Sequence, residues 1–394
     1  MKNYDVVVIG AGISGLSLAR YAREAGLEAL VLERAERSGG CFHSHRFADG
    51  FWLELGAHTC YNSYGGLIRI MESLGMMGEI VGREKVSFKM LVGDQICSIT
   101  SQLSFLELFT SAWRLFSLKK EGESVASYYS RIVGAKNFEN VFAPAFNAVI
   151  SQRANDFPAD MLFNKRPRRK DVIKSYTLKD GLSSITDRIA AGLEVVTGAE
   201  ITRVAKNGDG YAIELADGRG FEAKRLVLAT PPPDAARLCA EVAPDAAAVL
   251  QGIKVEEIET VGVAVRKELL QVPPMAGLIA IDDSFYSAVS RDTLLDPGYR
   301  GFSFHFKSGR LGHEEKLLRI AQVLQVKRDA LQQNVARDSR LPSPVVGHHQ
   351  LIAKLDRALA GQNLFVTGNY FAGMAIEDCI VRSGKEFQRL SQKI

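Results

Sequence analysis

The stretch that most constrains the fold is Tyr4 to Glu33, which follows the order strand, glycine-rich turn, helix, strand and acid. Val6 to Ile9 form an apolar run that is too short for a helix and ends at a glycine, which predicts a strand buried on both faces. Apolar residues at helical spacing then predict a helix that ends at Gly26, and Ala29 to Leu32 predict a second strand. These elements form one βαβ unit of a parallel sheet.

Three glycines in the turn have GxGxxG spacing. The first permits the tight turn, the second lets the backbone approach a pyrophosphate, and the third lets the helix pack closely on the strand. The amide-rich helix N-terminus is an anion site, and the acid that ends the second strand can accept hydrogen bonds from ribose hydroxyls. We therefore predict a dinucleotide site containing Gly10, Gly12, Ile13, Ser14, Gly15 and Glu33.

Length and composition narrow the class of protein. A chain of 394 residues is long enough for two or three domains. A formal charge of +4 is too small to indicate nucleic acid as a partner. Five cysteines without a CxxC pair predict free thiols and a reducing, cytoplasmic location. No stretch of about 18 apolar residues predicts a transmembrane helix, and the N-terminus predicts no secretory signal.

Strand-like segments that return late in the chain predict two interleaved domains. The nucleotide domain is predicted at 1–82, 192–235 and 345–394, and a mixed α+β domain at 83–191 and 236–344. For the first we predict strands at Leu193 to Val196, Glu200 to Val204, Tyr211 to Leu215, Leu226 to Ala229 and Leu364 to Val366, and a helix at Met374 to Leu390. For the second we predict strands at Val86 to Val92, Val261 to Val265, Leu278 to Ile281 and Phe302 to Phe306.

Three motifs together resemble those of the flavin-containing amine oxidase superfamily, its protoporphyrinogen oxidase branch in particular. They are GAGISGL with Glu33, the Gly39-Gly40 pair, and GNYFAGMAIEDCIVRSG from Gly368 to Gly384. The resemblance implies an α/β fold in which a Rossmann-like FAD-binding domain is interleaved with a mixed α+β substrate domain. It also implies an oxidoreductase that binds FAD and a small-molecule substrate.

The resemblance also assigns cofactor residues. The loop after the second strand would run along the pyrophosphate and ribityl chain, and here Cys41 replaces the family's arginine, a loss that His43 or His45 would offset. Leu53 to His58 resembles the segment that passes the flavin ring, and Gly373 to Ile376 would direct a helix N-terminus at the flavin O2 end. The residues implied in this way are Arg34, Gly39, Gly40, Cys41, Ser44, Gly56, Ala57, His58, Ile201, Thr230, Gly368, Asn369, Gly373, Ala375 and Ile376.

If FAD is bound in this way, the predicted reaction is removal of a hydride from a carbon next to nitrogen or in a conjugated ring. This chemistry depends on orientation and a dry pocket, so catalytic residues stay unassigned apart from His58 as a candidate. No histidine cluster has the spacing of a metal site, and we predict none. We expect His348-His349 to lie in an exposed loop.

The run Lys165 to Lys170 is the strongest charge cluster. It is expected to be a solvated loop, with capture of substrate carboxylates or peripheral contact with an anionic membrane as the alternative.

Two other functions stay open at this point. One is a non-redox flavoenzyme similar to UDP-galactopyranose mutase, which would show turnover without net electron transfer. The other is a binding protein that resembles the Rab GDP-dissociation inhibitors, which stable FAD at full occupancy would argue against. The substrate, the electron acceptor and the oligomeric state are not determined by the sequence.

Overall fold

The computed structural model of the chain describes residues 2–393. The strands are β1 (Lys2–Ile9), β2 (Ala29–Leu32), β3 (Ser44–Arg46), β4 (Trp52–Glu54), β5 (Cys60–Tyr61), β6 (Ile80–Gly82), β7 (Phe88–Val92), β8 (Gln95–Ser98), β9 (Ser175–Leu178), β10 (Glu194–Val196), β11 (Ile201–Asn207), β12 (Gly210–Leu215), β13 (Gly220–Leu228), β14 (Val255–Arg266), β15 (Gly277–Ile281), β16 (Phe285–Ser290), β17 (Tyr299–Lys307), β18 (Gln333–Pro342) and β19 (Leu364–Val366). The α-helices are α1 (Ile13–Glu24), α2 (Gly65–Ser73), α3 (Phe105–Ser111), α4 (Val125–Val133), α5 (Ala135–Asn137), α6 (Ala143–Ile150), α7 (Ser183–Ala191), α8 (Pro232–Cys239), α9 (Pro244–Gln251), α10 (His313–Leu324), α11 (His348–Ala358) and α12 (Ile376–Ser391).

The first sheet has the order β10-β2-β1-β13-β12-β11, and β19 also pairs with β13. The pairs among β10, β2, β1, β13 and β19 are parallel, whereas β12 and β11 form an antiparallel edge. Val6, Val7 and Val8 of β1 have no exposed surface, because one core cluster lies on each face of the sheet. This sheet confirms the predicted Rossmann-like α/β fold.

The turn between β1 and α1 explains the third glycine of the motif. A Cβ atom at Gly15 would lie 1.9 Å from the carbonyl oxygen of Gly10, so only glycine allows the helix to start this close to the strand. Helix α12 packs along α1, and the Ser383 hydroxyl donates to the carbonyl oxygen of Ser14 at 2.8 Å.

The second sheet has the order β18-β14-β17-β16-β15-β7-β8 and is antiparallel except for the β15–β7 pair. Phe302, Phe304 and Phe306 on β17 point to one face, where they form a core with residues of α10. Alternation along the strand therefore places Ser303 and His305 on the other face.

That other face carries a row of polar side chains. Cross-strand pairing aligns Arg337 of β18 with Thr260 of β14, Thr260 with His305 of β17, and His305 with Ser287 of β16. Directly opposed residues on neighbouring strands point to the same side, so these four form one row, called the polar row below. It faces the loops of the first sheet, since Ser303 beside it donates to the carbonyl oxygen of Glu54 at 2.6 Å.

Helices α3 to α6 lie between β8 and β9 in the chain and form a core of their own. A π-helical turn, Phe138–Phe142, joins α5 to α6. No helix in residues 2–393 is both long and apolar enough to cross a bilayer.

The packing of three helices is relevant to the predicted domain limits, which remain predictions. Helix α7 lies in the core on one face of the first sheet, and α8 and α9 lie in the core on the other face. This packing favours moving the limits at 191 and 235 outwards, so that these three helices belong with the nucleotide domain.

Candidate functional site

The glycine turn leaves the N-terminus of α1 open. Gly10 has φ +106°, a conformation that favours glycine, and no side chain caps the helix at Gly12. The first turn contains no acid, so its amide groups remain available to an anion. A Cβ atom at Gly12 would contact only the Cα atom of Gly40, at 3.8 Å, so the space beside this glycine is open.

Glu33 lies at the carboxyl end of β2, as predicted. Its carboxylate accepts hydrogen bonds from the amides of Ala11 at 2.7 Å and Ala35 at 2.9 Å. The amide of Ala199, two residues before Ile201, donates to the Glu33 carbonyl oxygen at 2.8 Å. The structure therefore brings the segment leading to Ile201 beside Glu33. We call the line of residues from Glu33 past Gly12 and Gly40 to Gly56 the cofactor groove; a ribose and an adenine are expected at its Glu33 end.

Two further predicted residues lie around this end of the groove. Thr230 lies beside Gly10, and its hydroxyl is buried without a hydrogen-bond partner. Arg34 is exposed and forms a 3.6 Å ion pair with Asp234 at the start of α8.

The Gly39-Gly40 loop packs directly on the glycine turn. The amide of Gly39 donates to the carbonyl oxygen of Ala11 at 2.7 Å, and a Cβ atom at Gly40 would lie 3.0 Å from the Cα atom of Gly12. Further along, the amide of Ala57 donates to the carbonyl oxygen of Cys41 at 2.8 Å. A continuous backbone path thus runs from the N-terminus of α1 to Gly56, Ala57 and His58.

Ser44 belongs to a buried network that sequence analysis missed. Its hydroxyl donates to the carboxylate of Glu54 at 2.9 and 3.0 Å, and the Glu54 carboxylate also accepts the amide of Leu182 at 2.7 Å at the start of α7. Burial raises the pKa of Glu54 to about 7, although the bonds from Leu182 and Ser44 oppose the rise.

His58 is connected to the polar row. Its Nε2 lies 3.1 Å from Nε2 of His305, and Nδ1 of His305 lies 3.0 Å from the hydroxyl of Thr260. Burial lowers the pKa of His305 to about 4 and holds the pKa of His58 well below its ordinary value. Both rings are therefore neutral near pH 7, so one Nε2 donates to the other.

A small cavity lies beside His58 and is bounded by Trp52, Glu54, Thr293 and two arginines, Arg83 and Arg291. Arg83 donates to the hydroxyls of Thr59 and Thr293. Arg291 stacks on the Phe51 and Trp52 rings; its Nε and Nη1 form no hydrogen bond, and Nη1 lies 3.8 Å from the Asp296 carboxylate. Burial lowers the pKa of both guanidinium groups. Neither arginine was predicted, because nothing near it in the sequence forms a motif.

The C-terminal motif leads into helix α12. Helix α12 begins at Ile376 after Ala375, but its first turn holds two carboxylates. Asp378 accepts the amide of Ala375 at 3.2 Å and pairs with Arg166 at 2.5 Å, and Glu377 accepts the amides of Gly66 and Leu67 at the start of α2. The positive end predicted for this helix is thus partly offset by its own acids.

The helix begins after Gly373, and a Cβ atom at this glycine would lie 2.4 Å from the Asp378 carboxylate. Gly368 and Asn369 follow β19 after Thr367.

The expectation for His348 is wrong. It is buried at the start of α11, and its Nε2 lies 2.6 Å from the carbonyl oxygen of Tyr370, a contact that the local sequence does not reveal. His349 is exposed, as expected, and pairs with Asp160 at 3.0 Å. In the basic run, Arg166 and Arg169 are held by carboxylates, so only part of that run is a solvated loop.

A flavin dinucleotide fits the residues of the groove. Buried polar atoms without partners lie along it, namely Thr230 Oγ1, His43 Nδ1 and Arg337 Nη1. Each of them needs a hydrogen-bonding partner that the protein does not supply. Across residues 2–393, no group of three or more His, Cys, Asp and Glu side chains could hold a metal ion.

Comparison with known proteins agrees with this geometry. The family profile for an NAD(P)-binding Rossmann-like domain matches residues 8–74, and the profile for flavin-containing amine oxidoreductases matches residues 103–386. Coproporphyrinogen III oxidase of Bacillus subtilis is 21% identical over 95% of both chains. The 15-cis-phytoene desaturase of Narcissus pseudonarcissus is 34% identical over 83 residues, which are 21% of this chain and 15% of that enzyme.

Solved structures share the whole fold. A protein assigned as a protoporphyrinogen oxidase from Exiguobacterium has a TM-score of 0.79 at 17% identity, covering 100% of this chain and 99% of that one. Cyclohexylamine oxidase from Brevibacterium oxydans has a TM-score of 0.70 at 15% identity over 99% of both chains. These likenesses show a shared fold, and the family profile, which covers most of the chain, shows that the protein belongs to the flavin-containing amine oxidoreductase family.

Proposed function

We propose that this protein is an FAD-dependent oxidoreductase that removes a hydride from carbon in a small amine-like or conjugated-ring molecule. The observation that carries the proposal is the continuous backbone path from the open N-terminus of α1, past Gly40, to His58 beside the cavity. A dinucleotide that followed this path would place its ring end next to a space for a substrate.

The path favours FAD over FMN. Glu33 and the segment before Ile201 lie at one end of the groove, where only the adenosine half of a dinucleotide would reach them. An FMN molecule would leave that end without a ligand.

The bound flavin would supply the acceptor for a hydride. Hydrogen bonds join His58, His305 and Thr260 into one chain, and both imidazole rings are neutral. Residues fixed in this way around the cavity would orient the substrate and exclude water. The neutral imidazoles and the two guanidinium groups, of Arg83 and Arg291, beside the cavity favour an uncharged reacting nitrogen, because a cationic substrate would meet like charges there.

The location of the protein and its class of substrate can be proposed only in general terms. The five cysteines are free thiols, which supports the predicted cytoplasmic compartment. The family oxidases act on small molecules, and two structural relatives are a putrescine oxidase and a cyclohexylamine oxidase. We propose a small-molecule substrate on this basis.

The test has two stages. Protein purified with its cofactor is denatured, and the released flavin is identified chromatographically, with FAD expected. The holoenzyme is then mixed without oxygen with amines and with porphyrinogens, and loss of the visible flavin absorbance is recorded. Absence of any flavin would refute the proposal, whereas turnover of a sugar nucleotide without net electron transfer would support the non-redox alternative.

A further inference from the structure

Arg337, in the middle of β18, reaches out of the second sheet into the cofactor groove. Its Nη2 donates to the carbonyl oxygen of Gly40 at 2.6 Å, and its Nη1 lies 3.4 Å from the position that a Cβ atom would take at Gly56. The guanidinium therefore sits between the two glycine segments that line the groove.

The charge of this arginine is not balanced by the protein. Nη1 is buried without a hydrogen-bond partner, and no carboxylate in residues 2–393 lies within ion-pair distance of Arg337. Arg37, which donates to the carbonyl oxygen of Phe42 in the same loop, also has no ion pair in the described part of the chain. Burying a cation without an anion is costly, so a site of this kind is built for an anionic ligand.

We propose that Arg337 supplies the positive charge for the FAD phosphates at the position where the sequence has Cys41 in place of an arginine. The inference rests on the proposed function, because it requires that FAD follow the groove. It makes cofactor binding depend on a strand of the second sheet, some 300 residues from the loop that it supports.

The experiment compares FAD affinity in four proteins by titrating apoprotein and following flavin fluorescence. Arg337→Gln is expected to weaken binding roughly 10- to 100-fold, the loss of one charge-assisted hydrogen bond. Arg266→Gln, an exposed change at the end of the neighbouring β14, is the matched control and is expected to bind like the wild type. Cys41→Arg combined with Arg337→Gln is expected to recover most of the affinity, because it returns a cation to the same loop.

The outcomes separate the two claims. Wild-type affinity in Arg337→Gln, or a loss that Cys41→Arg does not recover while circular dichroism and the unfolding temperature are unchanged, would overturn the role of Arg337. Failure of the wild type itself to bind FAD would overturn the proposed function instead.

Discussion

The raised pKa of Glu54 makes the stability of the protein depend on pH in a defined direction. Glu54 is 6% exposed, and burial raises the pKa of its carboxyl group from 4.5 to about 7. Between these values the folded protein keeps the proton that the unfolded chain releases. The contribution of the protonated Glu54 to the free energy of unfolding is therefore fully present below about pH 4.5 and is lost as the pH rises to about 7.

The size of the loss follows from the two pKa values. A difference of 7 − 4.5 = 2.5 in pKa, at about 1.4 kcal/mol for each tenfold change in proton affinity, gives about 3 kcal/mol. Glu54→Gln cannot ionise, so its own contribution is independent of pH. The difference in unfolding free energy between wild type and Glu54→Gln should therefore shift by about 3 kcal/mol in favour of the variant from acid to neutral pH.

Urea unfolding of both proteins at several pH values measures this shift, and groups common to both cancel in the difference. A second measurement uses Trp52, which precedes Glu54 by two residues and is buried. In a Trp113→Phe background Trp52 is the sole tryptophan, and its fluorescence should titrate with a midpoint near pH 7 that Glu54→Gln abolishes. Parallel stability curves together with a flat Trp52 signal would refute the assigned ionisation.

Four further substitutions test the groove and the polar row. Gly12→Ala should keep the fold but lower FAD affinity at least tenfold, because the added methyl group fills the approach to the phosphates. In the matched variant Gly15→Ala the new Cβ would lie 1.9 Å from the carbonyl oxygen of Gly10, so thermal unfolding should show a loss of about 3 kcal/mol in stability. Glu33→Ala removes an acceptor from two backbone amides and should weaken FAD binding about tenfold by titration, whereas unchanged affinity would argue against a ribose site. His305→Phe removes the partner of His58 and should slow anaerobic flavin reduction about tenfold at unchanged FAD content in rapid mixing; an unchanged rate would remove the polar row from the reaction.

The parts of the fold predicted correctly are those with a strong local signal. Ala29 to Leu32 and Leu364 to Val366 match β2 and β19, because short apolar runs between turn residues identify buried parallel strands. The glycine turn was also predicted from a local signal, because each glycine meets a steric requirement of the turn in which it lies.

The strand β18 and the buried His348 show where local signals fail. The segment Gln333–Pro342 lies at the edge of the second sheet and contains several charged residues, so no apolar pattern predicts a strand there. Only its pairing with β14 makes it a strand. His348 follows two prolines that suggested a loop, yet it is fixed by the carbonyl oxygen of Tyr370 from another part of the chain. In both cases the determining contact is not local.

The polar row combines the two kinds of information. Its members come from four strands between residues 260 and 337, and no motif connects them. Yet the sequence Phe302-Ser303-Phe304-His305-Phe306 already fixes that His305 lies opposite the phenylalanines. A slip of one residue in β17 would expose three phenylalanines and bury the histidine in the core with α10. The phenylalanine core therefore sets the register that holds His305 against His58 and Arg337 at the cofactor loop.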